Sequence, residues 1–414
     1  MAVTVRTPGL YVVEHEVEVP LDHADPGGAT ITVFAREVSD PDRRDRPYLL
    51  FLQGGPGFEA ARPTGDPLGP GWLGRALQDY RVLLLDQRGT GRSTPVGPEL
   101  ASSGLTPQQQ ADYLSHFRAD SIVRDAELVR EALGVTRWSV LGQSFGGFCT
   151  LHYLSTAPDS LREAFFTGGV PPVGMPVDDI YSATFAKQRE RNERYYARYP
   201  GDRDRVRRIH AALDAEPLLL PTGDRLTSRR FRSAGHGFGM SDGPDQLHYL
   251  LELPITSPAF RHDVQAGMGF ARNPLYALVH EASYADGGVT GWASERVMPS
   301  DYADDVTLFF GEHLFPWAFT DYGALAPLRE TADLLAGREW PRLYDEDVLR
   351  SNEIPCAAAV YADDPYVLAE HSMATAGLVR GLRPWLTNEY LHNAIRADGA
   401  RVLDRLIDLA RGRA

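Results

Sequence analysis

The stretch Trp138–Ala157, WSVLGQSFGGFCTLHYLSTA, says more about the fold than any other part of the chain. It opens with a short apolar run typical of a buried strand, Trp138–Leu141, and closes with a helical pattern over Gly147–Ala157. The residues between them, Gly142-Gln143-Ser144-Phe145-Gly146, match the pattern G-x-S-x-G. On a sharp turn from strand to helix, such a serine is held out at the carboxyl end of a sheet, and the flanking glycines remove side chains that would clash there. The stretch therefore predicts that Ser144 is a catalytic nucleophile, with an ordinary turn serine as the alternative.

The segments before this motif repeat the alternation of strands and helices. Two more continuous apolar runs, YLLFLQ at Tyr48–Gln53 and RVLLLD at Arg81–Asp86, are typical of strands in a parallel sheet covered on both faces. Ala119–Leu133 has apolar residues at helical spacing and precedes the strand of the serine motif. This strand–helix–strand order predicts an α/β fold, with a mostly parallel sheet and helices on both of its faces.

Further strands are expected towards the two ends of the chain. Tyr11–Val19 and Thr30–Glu37 alternate apolar and polar residues around a turn-rich linker, which predicts an antiparallel hairpin. Ile354–Tyr361 and Leu382–Thr387 are candidates for the last two strands, and Asp398–Arg411 is a candidate for a closing amphipathic helix.

The middle of the chain breaks this alternation. Phe185–Tyr199 and Arg203–Asp214 have helical patterns, and Gly235–Gly243 is expected to form a loop. We therefore expect one α/β domain whose sequence is interrupted by a large, mainly helical cap, inserted before the last strands. The expected parts are the first part of the core at residues 1–169, the cap at residues 170–350 and the second part of the core at residues 351–414.

A glycine-rich loop follows the YLLFLQ strand, with the sequence Gln53-Gly54-Gly55-Pro56-Gly57. A serine nucleophile needs backbone N–H groups that bind the oxygen of the tetrahedral intermediate as it becomes negative. One such group is expected from Phe145, the residue after the nucleophile, and another from Gly54 or Gly55. An ordinary glycine-rich turn is the alternative, and the lack of a following Gly-Lys-Ser/Thr argues against a phosphate-binding loop.

The general base and the acid that orients it are expected downstream, in the order serine, acid, histidine. Asp363 and Asp364 end the strand candidate IPCAAAVY, and His392 follows in the segment NEYLH. Adjacent residues on a loop rarely point the same way, so one aspartate should reach His392. We favour Asp364 and keep Asp363 as the alternative. His371 lies in an apparent helix before the last strand and is a weaker candidate for the base.

Composition and charge argue against several other classes of protein. The net charge is −14, and binding of phosphates needs a basic face, so we expect no nucleic-acid partner. The apolar runs are too short to span a bilayer, and the opening residues MAVTVRTPGL lack the pattern of a secretion signal, so we expect no membrane association and a cytoplasmic protein. Cys149 and Cys356 are too few for a disulfide framework and lack the spacing of a zinc site. His280–Tyr284 lacks the second histidine of a zinc-protease helix, and no dinucleotide motif follows a strand, so we expect neither a metal nor a cofactor.

With these motifs in hand, the sequence resembles the proline iminopeptidases (prolyl aminopeptidases), and most of all their longer subgroup. The resemblance rests on Gly54–Gly57, on DQRGTGRS at Asp86–Ser93 and on Gly142–Gly147, and it spans about residues 10 to 410. It implies an α/β-hydrolase fold and a serine exopeptidase. Such an enzyme releases the N-terminal residue, preferentially proline, from short peptides through an acyl-enzyme. Gln53 departs from the family pattern, because many members have a histidine before this loop.

The resemblance also implies a device that binds the free amino terminus of the peptide. Glutamates of the cap do this in the family, and the candidates here are Glu281, Glu312 and Glu252. Glu281 and Glu312 lie in the segments that match the family best, ALVHEASY and GEHLFPWAF. A proline ring would need an apolar, aromatic pocket. Candidates for its walls are Phe145, Phe148, Tyr284, Phe315 and Trp317.

Other functions are compatible with the same motifs. An α/β-hydrolase esterase or amidase, or an aminopeptidase of broader specificity, would share the fold and the triad, because function does not follow from fold. A substrate with a blocked amino terminus distinguishes the esterase from the aminopeptidase. A non-catalytic binding protein is the third hypothesis, although all three residue types of a triad are present. The sequence leaves the oligomeric state open, and an oligomer is compatible with it.

Overall fold

The protein is built around one large sheet, seen in a computed structural model that describes residues 2–64, 69 and 71–414. The strands are β1 (Ala2–Thr7), β2 (Leu10–Pro20), β3 (Thr30–Ser39), β4 (Tyr48–Leu52), β5 (Arg81–Leu85), β6 (Trp138–Gln143), β7 (Leu161–Thr167), β8 (Leu218–Leu219), β9 (Arg225–Leu226), β10 (Gly288–Val289), β11 (Glu339–Trp340), β12 (Cys356–Tyr361) and β13 (Leu382–Thr387).

Nine of these strands form the large sheet, in the order β1-β2-β3-β5-β4-β6-β7-β12-β13. Strands β1, β2 and β3 are antiparallel neighbours, and β3 pairs antiparallel with β5. From β5 to β13 all neighbouring strands run parallel. The predicted hairpin and the predicted mostly parallel sheet are therefore confirmed. The short strands pair separately, β8 with β9 and β10 with β11.

Helices cover both faces of the sheet and make up most of the segment between β7 and β12. The α-helices are α1 (Trp72–Ala76), α2 (Pro107–Leu114), α3 (Ala119–Ala132), α4 (Phe145–Thr156), α5 (Val177–Arg198), α6 (Asp202–Ala215), α7 (Ser228–Phe231), α8 (Gly243–Glu252), α9 (Pro258–Gly267), α10 (Pro274–Tyr284), α11 (Ala293–Arg296), α12 (Ser300–Asp304), α13 (Ala318–Asp321), α14 (Arg329–Ala336), α15 (Glu346–Arg350), α16 (Ala369–Leu378), α17 (Ala394–Ala397) and α18 (Gly399–Ala410). Short 3-10 helices cover Pro98–Ser102, Pro158–Ser160, Arg232–Gly239 and Ala326–Leu328. None of the helices among the described residues is both long and apolar enough to cross a membrane.

The parallel strands are apolar along their whole length because both faces of the sheet are covered. In β4, Leu50 and Leu52 join the apolar cluster on the face of α3 and α4. Leu49 and Phe51 point to the opposite face and join the cluster that contains Leu403 of α18. All five β4 side chains are buried, and burying a leucine contributes about 1.5–3 kcal/mol to the free energy of unfolding. This two-sided burial fixes the sheet whose strand ends carry the candidate site.

Residues 168–355, called here the inserted segment, lie between β7 and β12. Much of this segment packs around its own aromatic cluster, which includes Phe231, Phe260 and Phe309. The sequence predicted a loop over Gly235–Gly243, and this prediction was wrong for its first half. Residues up to Gly239 belong to the 3-10 helix Arg232–Gly239, where Gly235 packs with its α-carbon against Phe309. Repeated glycines suggested a loop, but here they allow close packing.

The inserted segment is tied to the core by a buried arginine. Arg118, just before α3, is 1% exposed, and its guanidinium donates to three backbone carbonyls of the inserted segment. The acceptors are the carbonyl oxygens of Ala282 at 3.3 Å, Ala285 at 3.2 Å and Pro341 at 3.0 Å. The same guanidinium lies over the Trp340 ring, 4.8 Å from its centroid. Arg118 thereby holds the end of α10 and the strand β11 against the core.

Candidate active site

Ser144 is the single residue between β6 and α4. Its backbone has φ of 54° and ψ of −125°, in a region that residues other than glycine rarely adopt. The turn leaves no room beside it, because a Cβ atom on Gly146 would lie 1.9 Å from the carbonyl oxygen of Leu52. The strained turn thus depends on glycine at this flanking position. It places the Ser144 side chain at the carboxyl end of the sheet, and the residue is 8% exposed.

His392 and Asp364 meet at the carboxyl ends of the last two strands. Nδ1 of His392 lies 2.7 Å from Oδ2 of Asp364, and both residues are buried. The other oxygen of Asp364 accepts the amide hydrogens of Tyr366 at 2.9 Å and Val367 at 3.3 Å. Burial disfavours the charged imidazolium, but Asp364 and Glu312 outweigh burial and raise the pKa of His392 above its ordinary value. The arrangement suits a histidine that accepts a proton and is stabilised when it carries one.

The neighbouring aspartate points elsewhere. Oδ2 of Asp363 lies 2.6 Å from Nη1 of Arg194 on α5, and this hydrogen bond lowers the pKa of Asp363. His371 lies on α16 and does not line the cavity that contains Ser144. The structure therefore brings Asp364, and not Asp363, to His392.

The glycine-rich loop passes directly over the serine turn. A Cβ atom on Gly54 would lie 2.8 Å from Cβ of Ser144, so only glycine permits this approach. Gln87, from the DQRGTGRS segment, donates from Nε2 to the Gln53 carbonyl at 2.9 Å and fixes the start of the loop. Within the described ranges, the amides of Gly54, Gly55 and Phe145 have no hydrogen-bond acceptor. These are the three amides that the sequence predicted as oxyanion donors, and they are free to bind an oxygen.

A cavity of about 320 Å³ joins these groups to the inserted segment. Ser144 and His392 both line it, and so do Gly54 and Gly55. From the inserted segment and the chain that follows, its walls include His236, Met240, Tyr276, Glu312, Phe315, Trp317, Tyr366 and Arg396. A larger, shallower hollow of about 1070 Å³ lies over α3, α4 and α15 and touches none of the predicted site residues.

Glu312 is the predicted glutamate that reaches this cavity. Its Oε1 accepts a hydrogen bond from the Tyr276 hydroxyl at 3.0 Å and lies 3.6 Å from Nε2 of His280. Burial opposes ionisation of Glu312, but His280, with His236 and His392, lowers its pKa to about 2. A negative charge is therefore held in the same cavity as Ser144, where it can bind a cationic group of a ligand.

The two other predicted glutamates lie outside the cavity. Oε1 of Glu281 accepts the amide hydrogen of Ser294 at 3.1 Å, at the start of α11, and burial raises the pKa of Glu281. Glu252 ends α8, where it is half-exposed and lies 3.7 Å from Nε2 of His248. The structure thus gives Glu281 a part in packing the inserted segment, and it does not bring Glu252 to the site.

The aromatic candidates divide in a similar way. Phe315 and Trp317 line the cavity and stack on each other, with ring centroids 5.3 Å apart. Phe145 and Phe148 pack into the main core, and Tyr284 stands edge-on to Phe148 behind the cavity. The segment that carries Glu312 therefore also supplies part of the apolar wall of the site.

Sequence reasoning missed several residues in or next to the cavity. Tyr276 and His280 are four residues apart on α10, and this spacing could have shown that they share one helix face. Tyr366 stands edge-on to His392, with ring centroids 4.8 Å apart, and follows the acid Asp364 by two residues. His236 and Arg396 belong to no motif, so no pattern in the sequence marked them. Among the described residues, no group of three or more His, Cys, Asp or Glu side chains is placed to hold a metal ion.

Comparison with known proteins agrees with this geometry. The model of a family described as the alpha/beta hydrolase fold matches residues 47–218. A proline iminopeptidase of Aeromonas sobria is 47% identical over 422 residues, which cover 97% of each chain. This chain belongs to the proline iminopeptidase family. A second member, from Aspergillus aculeatus, is 34% identical and covers 97% of this chain and 94% of its own.

Among solved structures, the protein Rv0554 of Mycobacterium tuberculosis aligns with 96% of this chain and 99% of its own. The TM-score is 0.45 and the identity 13%. The sequence alignments with the two proline iminopeptidases cover almost the whole chain, including the inserted segment.

Proposed function

We propose that this protein is a serine exopeptidase that releases the N-terminal residue, preferentially proline, from short peptides through an acyl-enzyme. One observation carries the proposal. Ser144 and His392, whose imidazole is paired with Asp364, line a cavity whose wall also holds Glu312, a buried carboxylate with a pKa of about 2. A hydrolase that must recognise a free amino terminus needs such a charge close to its nucleophile.

The first half of the reaction forms the acyl-enzyme. Oγ of Ser144 attacks the carbonyl carbon of the first residue, and Nε2 of His392 takes the hydroxyl proton. Asp364 keeps the proton on Nδ1 of His392 and stabilises the imidazolium that forms. The free amides of Phe145 and of the Gly54-Gly55 loop bind the oxygen that becomes negative. When the tetrahedral intermediate collapses, His392 gives its proton to the leaving amine and the shortened peptide departs.

The second half releases the residue. A water molecule takes the place of the leaving peptide, and His392 removes a proton from it as it attacks the acyl carbon. The same amides stabilise the second tetrahedral intermediate. Its collapse returns the proton to Ser144 and frees the amino acid. Hydrolysis in two steps lets one histidine serve as base and acid in turn.

The amino terminus would be bound by Glu312. In a peptide that begins with proline, the ring nitrogen is protonated and lies next to the carbon that carries the scissile carbonyl. Glu312 is ionised at neutral pH and is already oriented by Tyr276, so it can pair with this cation without rearrangement. Phe315 and Trp317 supply an apolar surface of the kind that a proline ring packs against.

We also propose that the enzyme works in the cytoplasm. Its two cysteines are both free and buried, and burial raises the pKa of each thiol. This state is compatible with a reducing compartment.

The test compares free and blocked substrates. Wild-type protein should hydrolyse a proline arylamide and should reject the N-acetylated form of the same compound. Ser144→Ala should abolish turnover. Glu312→Gln should lower kcat/KM for the free substrate by about 100-fold, whereas Glu252→Gln, a matched change at a distant half-exposed glutamate, should leave it unchanged. Equal turnover of the blocked compound would instead favour the esterase or amidase, and loss of activity in Glu252→Gln would refute the placement of the amine site.

A further inference from the structure

The charged residues of the active-site cavity are few and opposite in sign. Of the described residues that line it, Glu312 is the one carboxylate and Arg396 is the one lysine or arginine. Both charges act on the same group, because Glu312 raises the pKa of His392 and Arg396 lowers it. The cavity therefore holds one negative and one positive group, which have opposite effects on the pKa of His392.

Arg396 is not engaged by a carboxylate of any residue that the structure describes. It lies on α17, four residues after His392, and it is exposed. In the part of the chain that the structure describes, its one side-chain hydrogen bond runs from Nη2 to the sulfur of Met240, at 3.6 Å. A thioether is a weak acceptor, so this contact leaves the donor capacity of the guanidinium almost unused.

Other cations near the site are already occupied. Arg194 pairs with Asp363 at 2.6 Å, and Arg191 donates from Nε to the carbonyl of Phe238 at 3.2 Å. Neither of them lines the cavity. Arg396 is thus the cation available to a ligand in this cavity.

We propose that Arg396 binds the terminal carboxylate of the substrate, and that the enzyme thereby selects short zwitterionic peptides. The inference rests on the proposed function, because it uses the roles of Ser144 and His392. His392 protonates the leaving amine, so the leaving peptide begins at His392. Arg396 lines the same cavity as His392, and the charge of Arg396 acts on the imidazole, which places a cation near this leaving group.

The length of the preferred peptide follows from chain dimensions. Each peptide residue adds at most about 3.3–3.6 Å, so in a dipeptide or tripeptide the terminal carboxylate lies one or two residues beyond the scissile bond. A guanidinium presents paired N–H donors that match the two oxygens of a carboxylate. With Glu312 on the amine and Arg396 on the carboxylate, both ends of such a peptide are bound at once. A longer peptide carries its carboxylate out of reach.

The expected effect is moderate and concerns binding. Arg396 is exposed, so water and salt screen its attraction for a carboxylate. The test uses Pro-Gly, its C-terminal amide, and a proline arylamide that carries no carboxylate. The quantity measured is the ratio of kcat/KM for Pro-Gly to kcat/KM for the arylamide. In Arg396→Gln this ratio should fall about fivefold, through a higher KM for Pro-Gly, and Arg396→Lys should restore part of it.

A matched control and a length series make the test decisive. Arg405→Gln changes an exposed arginine on α18 that does not line the cavity, and it should leave the ratio unchanged. In the wild type, amidation of the C-terminus should lower kcat/KM for Pro-Gly and Pro-Gly-Gly about fivefold. It should leave kcat/KM unchanged for a prolyl peptide with four further glycines.

The outcomes separate the two hypotheses. If wild-type protein does not hydrolyse the proline arylamide, the proposed function itself fails. If it does, but Pro-Gly and its amide are hydrolysed equally well by both the wild type and Arg396→Gln, the role of Arg396 is refuted and the function stands. If amidation lowered kcat/KM by the same factor at every peptide length, direct binding by Arg396 would also be refuted. Such a result would mean that the carboxylate is attracted by the charge of the protein without contacting Arg396.

Discussion

The two carboxylate oxygens of Asp364 have different partners. Oδ2 lies 2.7 Å from Nδ1 of His392, and Oδ1 accepts the amide hydrogens of Tyr366 and Val367. The backbone amides fix the plane of the carboxylate, and the carboxylate in turn fixes the imidazole ring. Asp363, one residue earlier, is engaged by Arg194.

This division predicts very different effects of two adjacent substitutions. Asp364→Asn should lower kcat for a proline arylamide by about 10³- to 10⁴-fold, because an amide at this position favours the wrong tautomer of His392. Asp363→Asn should stay within about threefold of the wild type, since it removes a half-exposed ion pair. Steady-state kinetics on both variants checks this. A large loss in Asp363→Asn with a small loss in Asp364→Asn would reverse the assignment.

The pH dependence of the reaction should show the raised pKa of His392. The base is active when neutral, so kcat/KM falls as the pH drops through this pKa, and the acid limb should lie above about pH 6.5. Glu312 favours the imidazolium, so Glu312→Gln should move the limb to lower pH. Arg396 disfavours it, so Arg396→Gln should move the limb to higher pH. Profiles from about pH 5 to 9 test both signs, and a limb that stays in place in Glu312→Gln would contradict the coupling.

Because Gly54 lies close to the serine turn, a side chain at position 54 should impair catalysis even though no functional side chain is removed. In Gly54→Ala, the new Cβ would lie 2.5 Å from Oε1 of Gln143 and 2.8 Å from Cβ of Ser144. The loop must move away, and its amide then misses the oxyanion. We expect kcat to fall about 100-fold. Gly27→Ala, in the turn between β2 and β3 where a Cβ meets no atom within 4 Å, is the control. Unchanged kcat in Gly54→Ala would place the oxyanion donors elsewhere.

The hydrogen bonds of Arg118 to the inserted segment should contribute to the stability of the protein. Arg118→Met keeps the length of the side chain but removes the donor from the carbonyls of the buried residues Ala282 and Ala285 and from the carbonyl of Pro341. The free energy of unfolding, measured in urea, should fall by about 3 kcal/mol. Arg124→Met, an exposed change on the same helix α3, should alter it by less than about 0.5 kcal/mol. Similar losses in both variants would show that Arg118 has no special part in holding the inserted segment.

Much of the sheet and of the candidate triad could be predicted, because the triad residues lie at or after the ends of apolar strands. Ser144, Asp364 and His392 each follow or lie near the end of such a strand, in an order that belongs to this fold. The choice between Asp363 and Asp364 could only be a preference, because it depends on which carboxylate meets Arg194 of α5. Strand β1 was missed, although Pro8-Gly9 before β2 is a turn signal, and Gly9 has a φ of +73°.

The inserted segment was far less predictable. Glu252, Glu281 and Glu312 are chemically identical, and their roles depend on how short helices pack against one another. Glu281 satisfies the start of α11, and Glu252 faces solvent. Glu312 lies in a bend between α12 and α13 and meets Tyr276 of α10. No local pattern distinguishes these outcomes, because each depends on contacts between residues that are distant in sequence.

One backbone hydrogen bond bears on when the site can form during synthesis. The amide of His392 donates to the carbonyl of Gly239 at 3.0 Å, so the inserted segment holds the loop of the base in place. Ser144 leaves the ribosome long before His392, and the Gly239 contact needs both the inserted segment and the last part of the chain. During synthesis the serine is therefore present without its base. We therefore expect an unfinished polypeptide, or one whose inserted segment has not folded, to be inactive towards the peptides around it.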